Sequence, residues 1–333
     1  MTGMRKFTGG LCSAMIVGAA WAMASSSPVL AQETEVSIRF SWKLKGEYAP
    51  LYVALDQGYF TEEGLKVTLG PGSGSQAALA AVEQGQETVT FAPAVFALQA
   101  ISKGLGVKII ALYHPSTPMA FISHPENAVR TPKDLEGKRL GHSVGDTAVD
   151  FLPVFCIANG LNCDSIKKIT MNFNAIMPQF LSKKIDVTAG YLTNDIPVLE
   201  SKGVDMVLLN LAEFGLNVPG GSLITSNEQI ADKPEALGGL LRALDRGYRF
   251  TKNDPAAAAV IMKKYWDTTL ADEVVTEQVR QTVKFVPEYA GKPIGWIDPE
   301  IFGKSLQQIK DAGKIDNILS LDTYYTNAMN VGM

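Results

Sequence analysis

Cysteine and histidine are scarce in this chain, three of each in 333 residues. Cys12 lies in an N-terminal stretch read below as removed, so Cys156 and Cys163 are the pair that matters. None of His114, His124 and His142 stands at ligand spacing with a cysteine or a carboxylate pair. Neither a structural nor a catalytic metal site is expected, and no cofactor. Basic charge is also short. The 30 Lys and Arg fall to 28 without Arg5 and Lys6, against 34 Asp and Glu. Phosphate backbones are held by basic surfaces, so nucleic acid is excluded as the main partner. No apolar run reaches the roughly 20 residues of a membrane span. Catalytic signatures are missing as well. The run GPGSGS at 70–75 lacks the Lys-Ser/Thr ending of a phosphate-binding P-loop and does not match the dinucleotide fingerprint. No serine-nucleophile elbow, paired-carboxylate motif or cysteine-nucleophile signature is visible.

What is present describes an exported α/β protein. A hydrophobic content of 46% with 19% charged residues is that of a globular chain, long enough for two lobes. Arg5 and Lys6 precede an apolar stretch of 14 residues, Leu11 to Ala24, and small residues end at Val29-Leu30-Ala31. Residues 1–31 therefore read as a signal peptide cleaved after Ala31, with Ala22-Met23-Ala24 as the alternative site, and the protein as periplasmic. Export permits a disulfide between Cys156 and Cys163, whose spacing carries a helix end at Asn159-Gly160 and a turn back. Two half-buried thiols are the alternative.

The chain states nearly the same pattern twice. The segment VTLGPGSGSQAALAAVEQG at 67–85 is matched by RLGHSVGDTAVDFLPVF at 139–155. In each an apolar strand runs into a Gly/Ser loop that opens a helix. A short strand follows (TVTF at 88–91, DVTAG at 186–190), then a helix ending in Ser-Lys-Gly and a buried strand. Strands alternating with helices imply parallel βαβ units. The fold expected is α/β with two lobes, each a mostly parallel sheet flanked by helices, joined by a two-strand hinge. Residues 32–120 are assigned to the first part of lobe 1, 121–222 to lobe 2 and 223–333 to a helical return onto lobe 1.

Ligands of such sheets sit outside the carboxyl ends of the strands, which nominates the loops there. Trp42 and Tyr48 flank the first, and an indole or phenol beside a cleft makes a stacking platform for a flat ring. Gly72, Ser73, Gly74 and Ser75 open a helix, where backbone amides and hydroxyls favour electron-rich groups; a tight strand-to-helix turn is the plain alternative. Ser143, Asp146 and Thr147 form the loop after His142. Tyr191 and Asn194 follow the short strand of lobe 2 at the place equivalent to Pro93 and Ala94. Asn194 serves equally as a helix N-cap. His142 reads as a strand-end hydrogen-bonding residue before a proton shuttle.

With Trp42, the segment YAPLYVALDQGYFTEEGLKV at 48–67 resembles the periplasmic solute-binding proteins that carry thiamine-pyrimidine precursors, alkanesulfonates, taurine and nitrate. The wider group includes the fungal thiamine-pyrimidine synthases. The resemblance continues through GSGS at 72–75, QGQETVTFAP at 84–93 and TPKDLEGK at 131–138, covering most of residues 36–230. It implies a two-lobed periplasmic-binding-protein fold of type II that closes on a small-molecule ligand and passes it to an ABC permease with its ATPase. A monomer is expected. Tyr48 stands where pyrimidine carriers and synthases usually have histidine, and the cysteine-rich motif of the synthases is missing. The arginine expected to clamp a sulfonate is not in the cleft loops, where Lys43 or Lys45 is the available substitute. A pyrimidine precursor is the leading ligand, a sulfonate, taurine or nitrate the alternative. A synthase-like enzyme and a ligand sensor are the competing functions.

Overall fold

The computed structural model describes Gly9 and residues 33–330. The expected signal peptide, Gly9 apart, lies outside the described residues. Ten strands form two five-stranded sheets. In the first, β1 (Thr34–Phe40) lies between β2 (Leu65–Gly70) and β3 (Val89–Pro93), parallel to both. β4 (Val107–Leu112) is at the far edge. The second sheet holds β5 (Met119–Ser123), β6 (Arg139–His142), β7 (Lys167–Thr170), β8 (Val187–Tyr191) and β9 (Val207–Asn210). β10 (Gly221–Ser226) returns to the first sheet, antiparallel between β3 and β4.

The orders β2-β1-β3-β10-β4 and β7-β6-β8-β5-β9 are the same arrangement used twice. In each, the antiparallel strand is the one the chain enters on arriving from the other sheet. The internal repeat thus has a topological basis, but its register differs from the sequence reading. β6 takes the place of β1, not of β2, because β7 pairs outside it as β2 pairs outside β1. The loop at 143–147 is therefore the counterpart of Ser41–Tyr48. The counterpart of the glycine-rich loop is the short turn before the helix Phe173–Leu181.

Local chemistry explains the elements that position the cleft loops. In β1 the alternation TEVSIRF buries Val36, Ile38 and Phe40 on one face. The helix Ala49–Asp56 has Pro50 in its first turn, and Gly58 follows it with φ 74°. Residues Ala49 to Ala54 are all buried, because the long helix Pro234–Asn253 packs across them. Gly247 makes that crossing: a Cβ there would lie 2.4 Å from the Pro50 carbonyl oxygen. Gly72 is equally constrained, since its Cβ would lie 1.8 Å from the Phe40 oxygen. Three clusters of buried apolar side chains result, one of which runs through the second crossing at Leu216 and Val218. Cys156 and Cys163 are disulfide-bonded with Cα atoms 5.7 Å apart, and Gly160, at φ 62°, turns the chain back between them. Among the described residues no helix is long and apolar enough to cross a membrane.

The helix crossing yields a test. Alanine favours a helix interior over glycine by about 1 kcal/mol, but overpacking costs about 1–3 kcal/mol. With backbone as the opposing atom the second effect dominates. Gly247→Ala should lower the urea midpoint of unfolding, and an unchanged or raised midpoint would show that the two helices separate freely.

Candidate functional site

The chain leaves β1 through Ser41 and Trp42 and tightens into a 3-10 turn, Gly46–Tyr48, in which the Tyr48 amide donates to the Lys45 carbonyl at 3.1 Å. This turn puts Lys45 and Glu47 where the two sheets' loop ends meet. The Glu47 carboxylate is buried, ion-paired with Lys45, and 3.5 Å from the His114 ring. It also accepts from Asn194 Nδ2, on the other lobe, at 3.3 Å. Gln278, on the helix Asp272–Lys284, ties the same place together. Its amide nitrogen donates to the Asn194 carbonyl at 3.1 Å, and its oxygen accepts from the Gly46 amide at 3.2 Å. The Lys45 ammonium lies 5.5 Å from the centre of the Tyr48 ring and 5.6 Å from that of Tyr191. Outside this cluster, Trp42 meets Phe173 edge to face at 6.2 Å, with the two side chains 43% and 61% exposed. The two lobes thus touch through a buried polar centre with an aromatic pair at its rim.

The electrostatics follow from burial set against pairing. Desolvation opposes the charge of Lys45, but Glu47 and the two tyrosines hold its ammonium pKa above the ordinary lysine value. Burial likewise works against the Glu47 carboxylate, yet the Lys45 charge and the hydrogen bonds from Lys45 and Asn194 bring its pKa below the usual range. His114 is pushed down by burial, only partly offset by Glu47, so it is neutral and its contact with Glu47 is not an ion pair. Burial also raises Asp146 and Asp195, against the amides that bond them.

Several expected site residues converge here. Trp42, Tyr191 and Asn194 do so directly. Thr147 and the Asp146 charge both bear on the Tyr191 phenol. Asn194 does not cap the following helix; its side chain turns to Glu47 and Thr193 instead. Asp195 uses its carboxylate to accept from the Tyr191 amide at 2.7 Å. Tyr48 differs from the expectation of a stacking platform open to the cleft. Its ring is buried and stacked on Phe40 at 4.0 Å, because the 3-10 turn folds it back over β1.

Other expected residues are occupied elsewhere. The amides of Gly72 and Gly74 donate to the carbonyls of Trp42 and Ser41, at 3.1 and 2.8 Å, so these two glycines strap the loop to the end of β1. Those two of the amides expected to receive an anion are used by the chain itself. Ser73 is exposed, Ser75 begins the helix Ser75–Glu83, and Pro93 pairs with Gly221 where the chain crosses back. Asp146 caps a single helical turn through the Ala148 amide. The Ser143 carbonyl accepts from His142 Nδ1, and Thr170 contacts His142 Nε2 at 3.0 Å, so the ring is tied to the strand end by both nitrogens.

Glu47, His114 and Gln278 were not singled out from sequence. For Gln278 a signal existed: it stands on the buried stripe of Val275, Val279 and Thr282. A lone amide on such a stripe must find partners, and these are Gly46 and Asn194.

Comparison with known proteins places this geometry in context. A model of the family described as NMT1/THI5 like matches residues 45–258. A riboflavin-binding protein of Chloroflexus aurantiacus is 23% identical over 91% of this chain and 87% of its own. A formylaminopyrimidine-binding protein of Halalkalibacterium halodurans is 24% identical over 68% and 69%. The aliphatic sulphonate-binding protein of Escherichia coli superposes with a TM-score of 0.69 at 13% identity, covering 87% and 91% of the two chains. The fold is that of the two-lobed periplasmic binding proteins.

The two buried groups predict two acid limbs. His114, depressed when folded, binds its proton more readily in the unfolded chain, so stability falls as pH drops below about 6.5. Glu47, also depressed, contributes stability that is complete above about 4.5 and is lost as pH falls through its lower folded value. His114→Gln should flatten the upper limb of a stability–pH profile, and Glu47→Gln the lower. Lys45 keeps 23% exposure, so Glu47→Gln should cost roughly 1–3 kcal/mol at pH 7, less than breaking a fully buried pair. Profiles unchanged by both substitutions would show that neither group titrates as described.

Proposed function

Because the chain belongs to the NMT1/THI5-like family, we propose that it is the exported solute-binding component of an ABC importer. It captures a small flat heterocycle, best matched by a thiamine-pyrimidine precursor, between lobes 32–120 with 223–333 and 121–222. A membrane permease driven by its ATPase then takes the cargo, and the carrier acts as a monomer after cleavage of residues 1–31. The observation that carries this reading is the cross-lobe centre. Tyr48 and Tyr191 present rings from opposite lobes, Glu47 and Asn194 offer a carboxylate and an amide, and Trp42 stands at the entrance. Rings supply area and a few placed polar groups supply orientation. Lobes that meet on such a group close more firmly when a solute bonds to both sides.

The riboflavin- and formylaminopyrimidine-binding relatives are named for flat nitrogen heterocycles, which agrees with this chemistry. The sulfonate alternative has a weaker basis here. The cation facing Tyr191 is Lys45, and it is already paired with Glu47. A synthase-like activity is the second reading, favoured by relatives named 4-amino-5-hydroxymethyl-2-methylpyrimidine phosphate synthase.

A thermal-shift screen of the exported protein against pyrimidine precursors, flavins, alkanesulfonates, taurine and nitrate tests the proposal. A ligand at a hundred times its dissociation constant adds about 2.7 kcal/mol. Stabilisation by a flat heterocycle, reduced in Trp42→Ala without loss of fold, is the expected result. Stabilisation only by sulfonate, taurine or nitrate would keep the carrier and discard the heterocycle, and silence across the panel would remove the carrier reading.

A further inference from the structure

The Lys45 ammonium stands in the setting that a cationic ligand would select. It is within cation–π range, about 6 Å, of one tyrosine ring from each lobe, and it is ion-paired with Glu47. The charged groups that face Tyr191 are Lys45, Asp146 and Glu47, so without Lys45 the place is acidic and aromatic. Lys45 is not locked in. Its side chain is 23% exposed, against 9% for Glu47, and a four-carbon stem allows the ammonium to turn out into water.

A second observation points to a missing partner at the same place. The side-chain oxygen of Asn194 is buried without a hydrogen-bond partner, and the buried His114 ring lies 3.5 Å from the Glu47 carboxylate. Both residues neighbour the Glu47 carboxylate. Buried polar atoms are ordinarily bonded, and leaving one unpaired is destabilising. A solute that binds Glu47 and also carries a further donor can satisfy the Asn194 oxygen, whereas the lysine ammonium offers donors from a single nitrogen.

We propose that Lys45 is a built-in occupant of the ligand site, its ammonium holding between Tyr48 and Tyr191 the position that a solute's protonated or amino nitrogen takes on Glu47. Binding is then an exchange of one nitrogen donor for another. The ligand bonds Glu47, its ring lies between the tyrosines, and Lys45 moves to solvent. Amino-substituted heteroaromatics are the class selected, and anions are disfavoured because they meet Glu47 first. This inference rests on the solute-binding reading and assigns Lys45 the part of a competitor that sets its specificity.

The test is calorimetric titration of the exported wild type, Lys45→Met and Glu47→Gln with 4-amino-5-hydroxymethyl-2-methylpyrimidine and, separately, with taurine. Unfolding curves confirm that each variant is folded, and Lys45→Gln replaces Lys45→Met where that variant is not. Removing the competitor should tighten aminopyrimidine binding about tenfold or more, and Glu47→Gln should weaken it by a similar factor. Weaker or unchanged binding by Lys45→Met makes the lysine a ligand contact or a bystander and overturns the inference. Taurine bound by the wild type and lost in Lys45→Met also overturns it, while the solute-binding reading stands. No binding of either probe by any form overturns both.

Discussion

Glu47 carries a charge at the junction of two lobes, and much of the surrounding structure serves that charge. A buried carboxylate is strongly disfavoured unless it is paired and hydrogen-bonded. Lys45 supplies the counter-charge, Asn194 a donor from the opposite lobe, and His114 a neutral ring from the first crossing segment. Gln278 then anchors both sides, bonding Gly46 in the turn and the carbonyl of Asn194. The contact between the lobes is therefore polar at its centre.

The repeated sheet order explains why this centre forms where it does. β1 and β6 occupy corresponding places, as do β3 and β8, so corresponding loops of the two lobes emerge at their carboxyl ends. Tyr48 comes from the loop after β1, and Tyr191 ends β8. The same geometry sets Trp42 against Phe173, which begins the helix after β7. Two copies of one arrangement, facing each other, turn loop residues distant in sequence into the walls of one site.

Much of the fold was legible because its signals are local. Alternation in residues 36–41, Pro50 and Gly58 around the first helix, and the matching short strands at 88–91 and 186–190 of the two sheets each follow from backbone and burial preferences within a few residues. The repeat was visible too, but its register was not. The similarity of Gly/Ser loops aligned β2 with β6, while strand pairing, a long-range property, aligns β1 with β6. The site was legible only in part. Trp42, Tyr191 and Asn194 stand at loop positions that topology marks. Gly72 and Gly74 carry the same local signal as an anion-binding loop, yet their amides are used by Ser41 and Trp42. Glu47 and His114 carry no local sign of their role, because it arises from a contact between residues 67 positions apart in the chain. Composition cannot report which carboxylate will be buried.

A crystal structure of the exported protein with 4-amino-5-hydroxymethyl-2-methylpyrimidine tests the central claim most directly. The account predicts the pyrimidine ring between Tyr48 and Tyr191, an exocyclic or ring nitrogen on Glu47, and the Lys45 side chain turned to solvent. A ligand held against the Gly72–Ser75 loop, or one that leaves the Lys45–Glu47 pair undisturbed between the tyrosines, would contradict it.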